Sequence, residues 1–281
     1  MLVAKPAGPT SHDVVDVVRR ALGVTRVGHL GTLDPFAAGL LVLVVGRATR
    51  LAPFAAHWTK DYEGVIRLGT VTATDDGTGA VVGTSEEWRT LDRGRIAAVL
   101  AEFRGAYDQR PPAFSAVKVD GERAYRRARR GEPVAPEARR VEVRELTLTN
   151  LTLPDVGFRA AVTAGTYLRS LARDVGERLG CGAHLATLTR TRVGPFQLED
   201  AVAPAAVTPS AVRDPAALVA DLPRRELDEA ERGLVLHGRP VASGQGTGDG
   251  GRVALFSEGR LVAVAERVGD ALKPRVVLSD E

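Results

Sequence analysis

The first residue whose type and setting could do chemistry is Asp34. It stands between Thr32-Leu33 and Pro35 in GHLGTLDPFAAG (28–39), a glycine-bracketed segment leading straight into the apolar run Leu40 to Val45. A carboxylate backed by a buried strand is rigid yet reachable, as a nucleophile or general base must be. Asp-Pro is equally an ordinary turn, or a helix N-cap followed by proline in the first helical position. His29 could be a structural histidine or a site group. Tyr62 in KDYEG and Tyr167 in GTYLRS are two of four tyrosines, with Lys60 and Arg169 as cationic neighbours. A tyrosine in polar surroundings can stack on a nucleobase for ~1–3 kcal/mol, or simply keep its hydroxyl at the surface. Arg123, Arg126, Arg127, Arg129 and Arg130 crowd one short segment that reads as uncompensated by acidic neighbours. Such a cluster is either a solvated face or a phosphate-binding one.

These groups need elements to hold them. Thr10-Ser11-His12-Asp13 fits a capping box, and the valines and Leu22 that follow predict a helix ending at Gly23, behind the loop Lys5-Pro6-Ala7-Gly8. Leu40 to Val45 predicts a buried strand, Arg47 to Ala56 a helix and Asp61 to Gly69 a strand; ATDDGTG (73–79) is a turn before Val81-Val82. Helices are expected over Leu91 to Phe103 and Tyr167 to Leu179. Strands are expected over Ser115 to Val119, Val141 to Leu153, Phe158 to Thr163 and His184 to Val193. A Pro- and Ala-rich stretch (203–223) marks a boundary, giving domains 1–222 and 223–281; the second reads as a small β-rich unit with a flexible hairpin loop at 244–251.

Composition excludes several classes. With 281 residues, 44% hydrophobic and 26% charged, the chain is an ordinary globular protein of one large domain or two. One cysteine, Cys181, rules out a disulfide framework, and five histidines (12, 29, 57, 184, 237) without HxxxH spacing offer no metal site. The Asp75-Asp76-Gly77 turn has too few carboxylates for calcium. No apolar run approaches the ~20 residues that span a bilayer, and the first ten residues lack a signal-peptide pattern, so a cytoplasmic location is expected. The net charge of +3 averages unlike parts: Arg104 to Arg144 carries eleven basic and six acidic residues, Asp221 to Glu281 nine and eleven. Only four of the 38 basic residues are lysine, a bias that fits either genome composition or phosphate recognition by guanidinium forks.

GHLGTLDPFAAGLLVLVVGRATRL (28–51) closely resembles the signature of the TruB family of tRNA pseudouridine synthases. KPAGPTS (5–11), KDYEGVIRLG (60–69), RPPAFSAVKVDGERAYRRARRG (110–131) and GTYLRSLARDVGERLGCGAHLATLTRTRVGPF (165–196) resemble the other family blocks, in order. His12 replaces the usual Asn, and Ala38 a frequent Thr, leaving Ser11 and Gly39 in place. The resemblance implies an α+β pseudouridine synthase fold, with a mixed or antiparallel central sheet flanked by helices and a small C-terminal PUA-like β-barrel. It implies isomerisation of uridine to pseudouridine at position 55 in the tRNA T loop, by base flipping and without metal or cofactor.

By resemblance, Asp34 is the catalytic aspartate, attacking ribose or base, and Arg169 pairs with it; Tyr167 sits against the base as general base. Tyr62 stacks on the flipped uracil, His29 fills the place of the extruded base and Leu188 packs against the uracil site. Lys5, Lys60, Arg126, Arg127 and Arg130 are expected to contact substrate RNA. The expected partner is the tRNA T arm, with no membrane and a monomeric protein. A guide-RNA-dependent synthase and a non-catalytic tRNA-folding chaperone are the alternatives.

Overall fold

Six consecutive apolar residues leave Leu40–Val45 no polar face for solvent, so that strand must be covered on both sides. In the computed structural model Leu40, Val42 and Val44 pack into one core, while Leu41 and Leu43 pack into another on the opposite face. All residues are described except 133, 135, 244–249, 279–281 and the side chain of Arg129; most of the expected hairpin loop at 244–251 thus lies outside the described residues.

The first part of the chain runs β1 (Leu2–Lys5), α1 (Ser11–Leu22), β2 (Val27–His29), β3 (Ala38–Val45), α2 (Ala52–Ala55), β4 (Lys60–Leu68), β5 (Thr70–Thr72) and β6 (Val81–Thr84). It continues with α3 (Arg93–Glu102), β7 (Gly105–Gln109), β8 (Lys118–Val119), β9 (Glu122–Arg123) and α4 (Ala124–Arg129). Then come β10 (Arg139–Thr152), β11 (Asp155–Val162), α5 (Leu168–Leu179), β12 (Ala183–Val193) and β13 (Phe196–Gln197). Seven strands lie in the order β1-β3-β12-β4-β11-β10-β7, with β2 on β3 and β13 on β12. Every pairing in this sheet is antiparallel except β3 with β12.

Helix α1 begins at the expected capping box, where Thr10 Oγ1 accepts from the Asp13 N–H (3.1 Å) and Asp13 Oδ2 from the Thr10 N–H (2.7 Å); it ends at Gly23 in the left-handed region. Helix α5 buries Leu168, Leu171, Ala172, Val175 and Leu179 as its periodicity requires, and also Arg169 and Ser170. Two expectations are corrected. Ser115 to Val119 is mostly turn, with only Lys118–Val119 extended, because the pair forms a short hairpin with β9 that feeds α4. Arg47 to Ala56 divides into a 3₁₀ segment, Gly46–Leu51, and the single turn α2, with Pro53 in the first two positions. The C-terminal unit holds a helix as well as strands.

That unit comprises β14 (Arg224–Glu226), α6 (Glu229–Leu236), β15 (Val241–Ala242), β16 (Arg252–Ser257), β17 (Arg260–Val268) and β18 (Ala271–Val277), in the sheet order β14-β16-β17-β18-β15. Asp228 and Glu231 form a capping box on α6, whose Val235 packs with Leu227, Leu255 and Leu272 in a small core. The Pro-rich stretch before it folds as short 3₁₀ turns starting at Pro204, Pro209 and Pro215. Its Leu218 and Val219 join Leu2, Val44, Phe256 and Val264 in one apolar cluster, so the two sheets share a core.

At the parallel junction Gly39 pairs with Arg190 at φ +110°. A Cβ there would lie 2.3 Å from the Arg190 carbonyl oxygen, and an L side chain strains at that φ. Gly39→Ala is therefore expected to lower unfolding free energy by about 3 kcal/mol, as measured by urea denaturation; a change under about 0.5 kcal/mol would contradict this geometry.

Candidate active site

The loop between β2 and β3 turns inward, and its carbonyl groups need donors away from water. Ser11, at the start of α1, both accepts from the Leu33 N–H (2.8 Å) and donates to the Leu33 carbonyl (3.0 Å). The buried Lys5 ammonium donates to the carbonyls of Pro6 (2.8 Å), Pro35 (3.3 Å) and Ala37 (2.8 Å). Arg190 on β12, fully buried, reaches the carbonyls of Leu40 (2.8 Å), Gly31 (3.1 Å) and Thr32 (3.4 Å). Leu33 and Ala37 pack in one apolar cluster with Tyr62 and Leu188. Asp34 is thus delivered from a clamped backbone, its side chain 36% exposed.

Arg169, in the first turn of α5 and only 5% exposed, forks onto this carboxylate: Nε donates to Oδ2 (2.9 Å) and Nη2 to Oδ1 (3.2 Å). A bidentate guanidinium pair fixes orientation as well as charge. The same guanidinium donates to the carbonyls of Thr74 (2.9 Å) and Phe114 (3.0 Å) and lies 3.7 Å from Asp76 Oδ2. Asp76 Oδ1 accepts from Thr74 Oγ1 (2.8 Å), the Thr78 N–H (3.0 Å) and Thr78 Oγ1 (2.6 Å). The turn at 73–79, too poor in carboxylates for calcium, thus wraps the back of the arginine instead. Arg173, one turn along α5, ties to Asp75 (3.2 Å) and Asp174 (2.8 Å).

Tyr167 caps α5, its N–H and carbonyl both hydrogen-bonded to the side chain of Gln109. Burial, together with the negative Asp34, pushes its phenol up, against the opposing pull of Arg139 and Arg169. It is therefore protonated in the free protein at neutral pH. Tyr62 on β4 and Leu188 on β12 are both buried in the cluster beside Asp34. His29 on β2 is half-buried; burial and then the nearby Arg190 and His12 charges hold its imidazole below the usual range, and its Nδ1 has no partner among the described residues.

The sequence reading of the basic segment is corrected on one point. Arg130 forks onto Glu122 (2.6 and 2.8 Å) and Arg127 lies 3.4 Å from Asp120, so α4 is partly neutralised by its own hairpin. These partners lie eight and seven residues back, beyond the helical i±4 spacing. Arg123 and Arg126 flank the Tyr125 phenol and hold it below its usual range.

Sequence reasoning missed Ser11 as the clamp on Leu33, and with it Thr74, Asp76, Gln109 and Arg190. For Arg190 there was a signal: strand alternation from Leu188 puts it on the apolar face, where an unpaired arginine cannot sit. Lys5 and Lys60, expected at the RNA, are buried under the loop, with the Lys60 ammonium on the Trp58 carbonyl (3.1 Å). Burial, then the charge of Arg190, brings Lys60 down to about 8. The folded state therefore releases this proton before the unfolded chain does, so Lys60 makes stability rise with pH from about 8 towards 10.5. Lys60→Met should remove that rise: the difference in Tm, wild type minus variant, grows between pH 8 and 10 in thermal scans. A pH-independent difference would contradict the buried position.

A family profile described as "TruB family pseudouridylate synthase (N terminal domain)" matches residues 19–168, and "tRNA pseudouridylate synthase B C-terminal domain" matches 169–228. The "tRNA pseudouridine synthase B" of Thermobifida fusca is 46% identical over 297 aligned residues, covering 99% of this chain and 98% of that protein. The protein of the same name from Prochlorococcus marinus is 44% identical, covering 87% and 78%. Among solved structures, "Structure of H/ACA RNP bound to a substrate RNA containing 2'-deoxyuridine" is similar with a TM-score of 0.74 at 25% identity, over 99% of this chain and 85% of that one. A chain of a Cbf5-Nop10-Gar1 complex is similar with a TM-score of 0.73 at 26% identity, over 98% and 84%. The expected fold is thereby shown, and the curled C-terminal sheet is consistent with a PUA-like domain. Matched by both profiles and aligned almost end to end with its curated relatives, this chain belongs to the TruB family of pseudouridine synthases and is an isomerase.

Proposed function

We propose that the chain converts uridine 55 in the T loop of tRNA to pseudouridine, acting as a monomer without a guide RNA, metal or cofactor. The observation that carries this reading is the Asp34 carboxylate, forked by a buried arginine on a clamped loop whose Leu33 and Ala37 pack with Tyr62 and Leu188. The names of the curated relatives support tRNA as the substrate. Isomerisation breaks the bond between N1 of uracil and C1′ of ribose, turns the base and joins C5 to C1′; N1 gains a proton and C5 loses one, so nothing is consumed.

In this reading the target base leaves its stack at a cost of a few kcal/mol, offset by stacking on Tyr62 and by phosphate contacts. Leu188 bounds the uracil site, and His29, a neutral ring, stacks where the base was. Arg169 holds the Asp34 carboxylate in one orientation through its two-pronged pair. Asp34 is the nucleophile, towards sugar or base. Tyr167, protonated at rest, gives its proton to the base as N1 leaves C1′, and the resulting phenolate takes the C5 proton once the base has turned and C5 has joined C1′. The basic segment at 122–131 lies along the RNA backbone.

Purified protein should convert one T-loop uridine in an unmodified tRNA transcript. Asp34→Asn should abolish conversion while tRNA Kd changes less than about threefold, a loss confined to the chemical step. An unmodified transcript with wild type would overturn the stand-alone enzyme, and conversion by the variant would remove Asp34 from its role. Arg123→Ala with Arg126→Ala should reduce the slope of log K against log salt by about 1–2. Adding Arg127→Ala and Arg130→Ala should then weaken binding less than proportionally, because those two are already paired. An unchanged slope would make α4 a solvated face.

A further inference from the structure

Gln109 is fully buried at the end of β7. A buried glutamine amide must place two N–H donors and a carbonyl, and here all three are used. Its Oε1 accepts from the Tyr167 N–H (2.8 Å); its Nε2 donates to the Tyr167 carbonyl (3.1 Å) and to the Tyr107 hydroxyl (2.7 Å). The amide can point only one way, since a backbone N–H cannot accept nor a carbonyl donate.

The side chain thus does for Tyr167 what a neighbouring strand does for an extended residue. At φ −103°, ψ 114° Tyr167 is the N-cap of α5 and follows Gly165-Thr166; the helix holds its carbonyl through the Leu171 N–H (3.0 Å), while Gln109 supplies the partner of its N–H. Gln109 is itself rigid, paired with Arg139 on β10, while Tyr107 packs edge-on against Phe103 with ring centroids 5.6 Å apart. The next residues dock on the same turn of α5: the Arg110 carbonyl accepts from Ser170 Oγ (2.8 Å) and Arg173 Nη2 (2.9 Å).

We propose that Gln109 is a positioning residue for the isomerisation, fixing the backbone of Tyr167 and through it the place of the phenol beside Asp34. The reason is leverage. A phenol oxygen stands about 6.5 Å from its Cα, so a backbone rotation of about 10° moves it about 1 Å, and displacements of that size can cost about a hundredfold in rate. The proposal rests on the reading of Tyr167 as a group that meets the base.

The test uses the full-length protein and an unmodified tRNA transcript. Gln109→Leu should lower kcat about tenfold to a hundredfold with tRNA Kd within about twofold of wild type. Gln109→Glu provides a second measurement that does not depend on the first variant folding. Its carboxyl, when protonated, can donate to the Tyr167 carbonyl and accept from its N–H; ionised, it repels that carbonyl, and burial shifts this change upward towards neutral pH. The ratio of Gln109→Glu to wild-type kcat should therefore rise as pH falls from 8 to 5.5, a dependence that a merely structural loss would not produce. A flat ratio, or Gln109→Leu within twofold of wild-type kcat, overturns the proposal. Tyr167→Phe, assayed alongside, separates the two failures: its full activity would refute the reading of Tyr167, whereas its loss with an insensitive Gln109 would refute the positioning role alone.

Discussion

A loop that folds its carbonyl groups into a protein must find donors for them, and the loop carrying Asp34 finds its donors on three other segments. Each carbonyl left unpaired would cost about 1–3 kcal/mol, so the loop conformation stands or falls with Ser11, Lys5 and Arg190. These side chains come from the start of α1, the end of β1 and the middle of β12. The parallel β3–β12 pair brings β12 alongside the loop, and a glycine at its contact point lets the backbones close. The sheet topology is therefore what holds one carboxylate in place.

Arg169 performs the second joining. Its donors reach the Asp34 loop, the 73–79 turn and the segment at 114, so three stretches of chain meet on one guanidinium at the first turn of α5. A buried cation is costly unless its donors are satisfied and its charge is balanced; here Asp34 and Asp76 balance it and two carbonyls take the remaining bonds. Arginine suits this place better than lysine because its planar fork can serve several acceptors at once.

The arginine bias of the composition divides in the same way. Arg169 and Arg190 are interior and have acceptors; Arg127 and Arg130 are partly neutralised by Asp120 and Glu122; Arg123 and Arg126 surround Tyr125. The net charge of +3 is thus a poor guide to where positive potential lies. The slightly acidic C-terminal unit adds an apolar core shared with the first sheet through Leu218 and Val219.

The sequence by itself determined the elements whose signals are local. The capping box at Thr10, the six-residue apolar run of β3, the periodicity of α5 and the glycine-bracketed Asp34 all depend on neighbours within a few residues, and all stand where the pattern put them. Family motifs supplied the candidate site residues, but not what supports them. Tertiary structure alone decided that the 73–79 turn backs Arg169, that Lys5 and Lys60 lie under the loop, and that Gln109 holds Tyr167 across 58 residues. It also decided that α4 is paired by its own hairpin. Local patterns report how a segment avoids water, whereas partners for buried polar groups are chosen by whichever distant segment the fold brings within hydrogen-bonding reach.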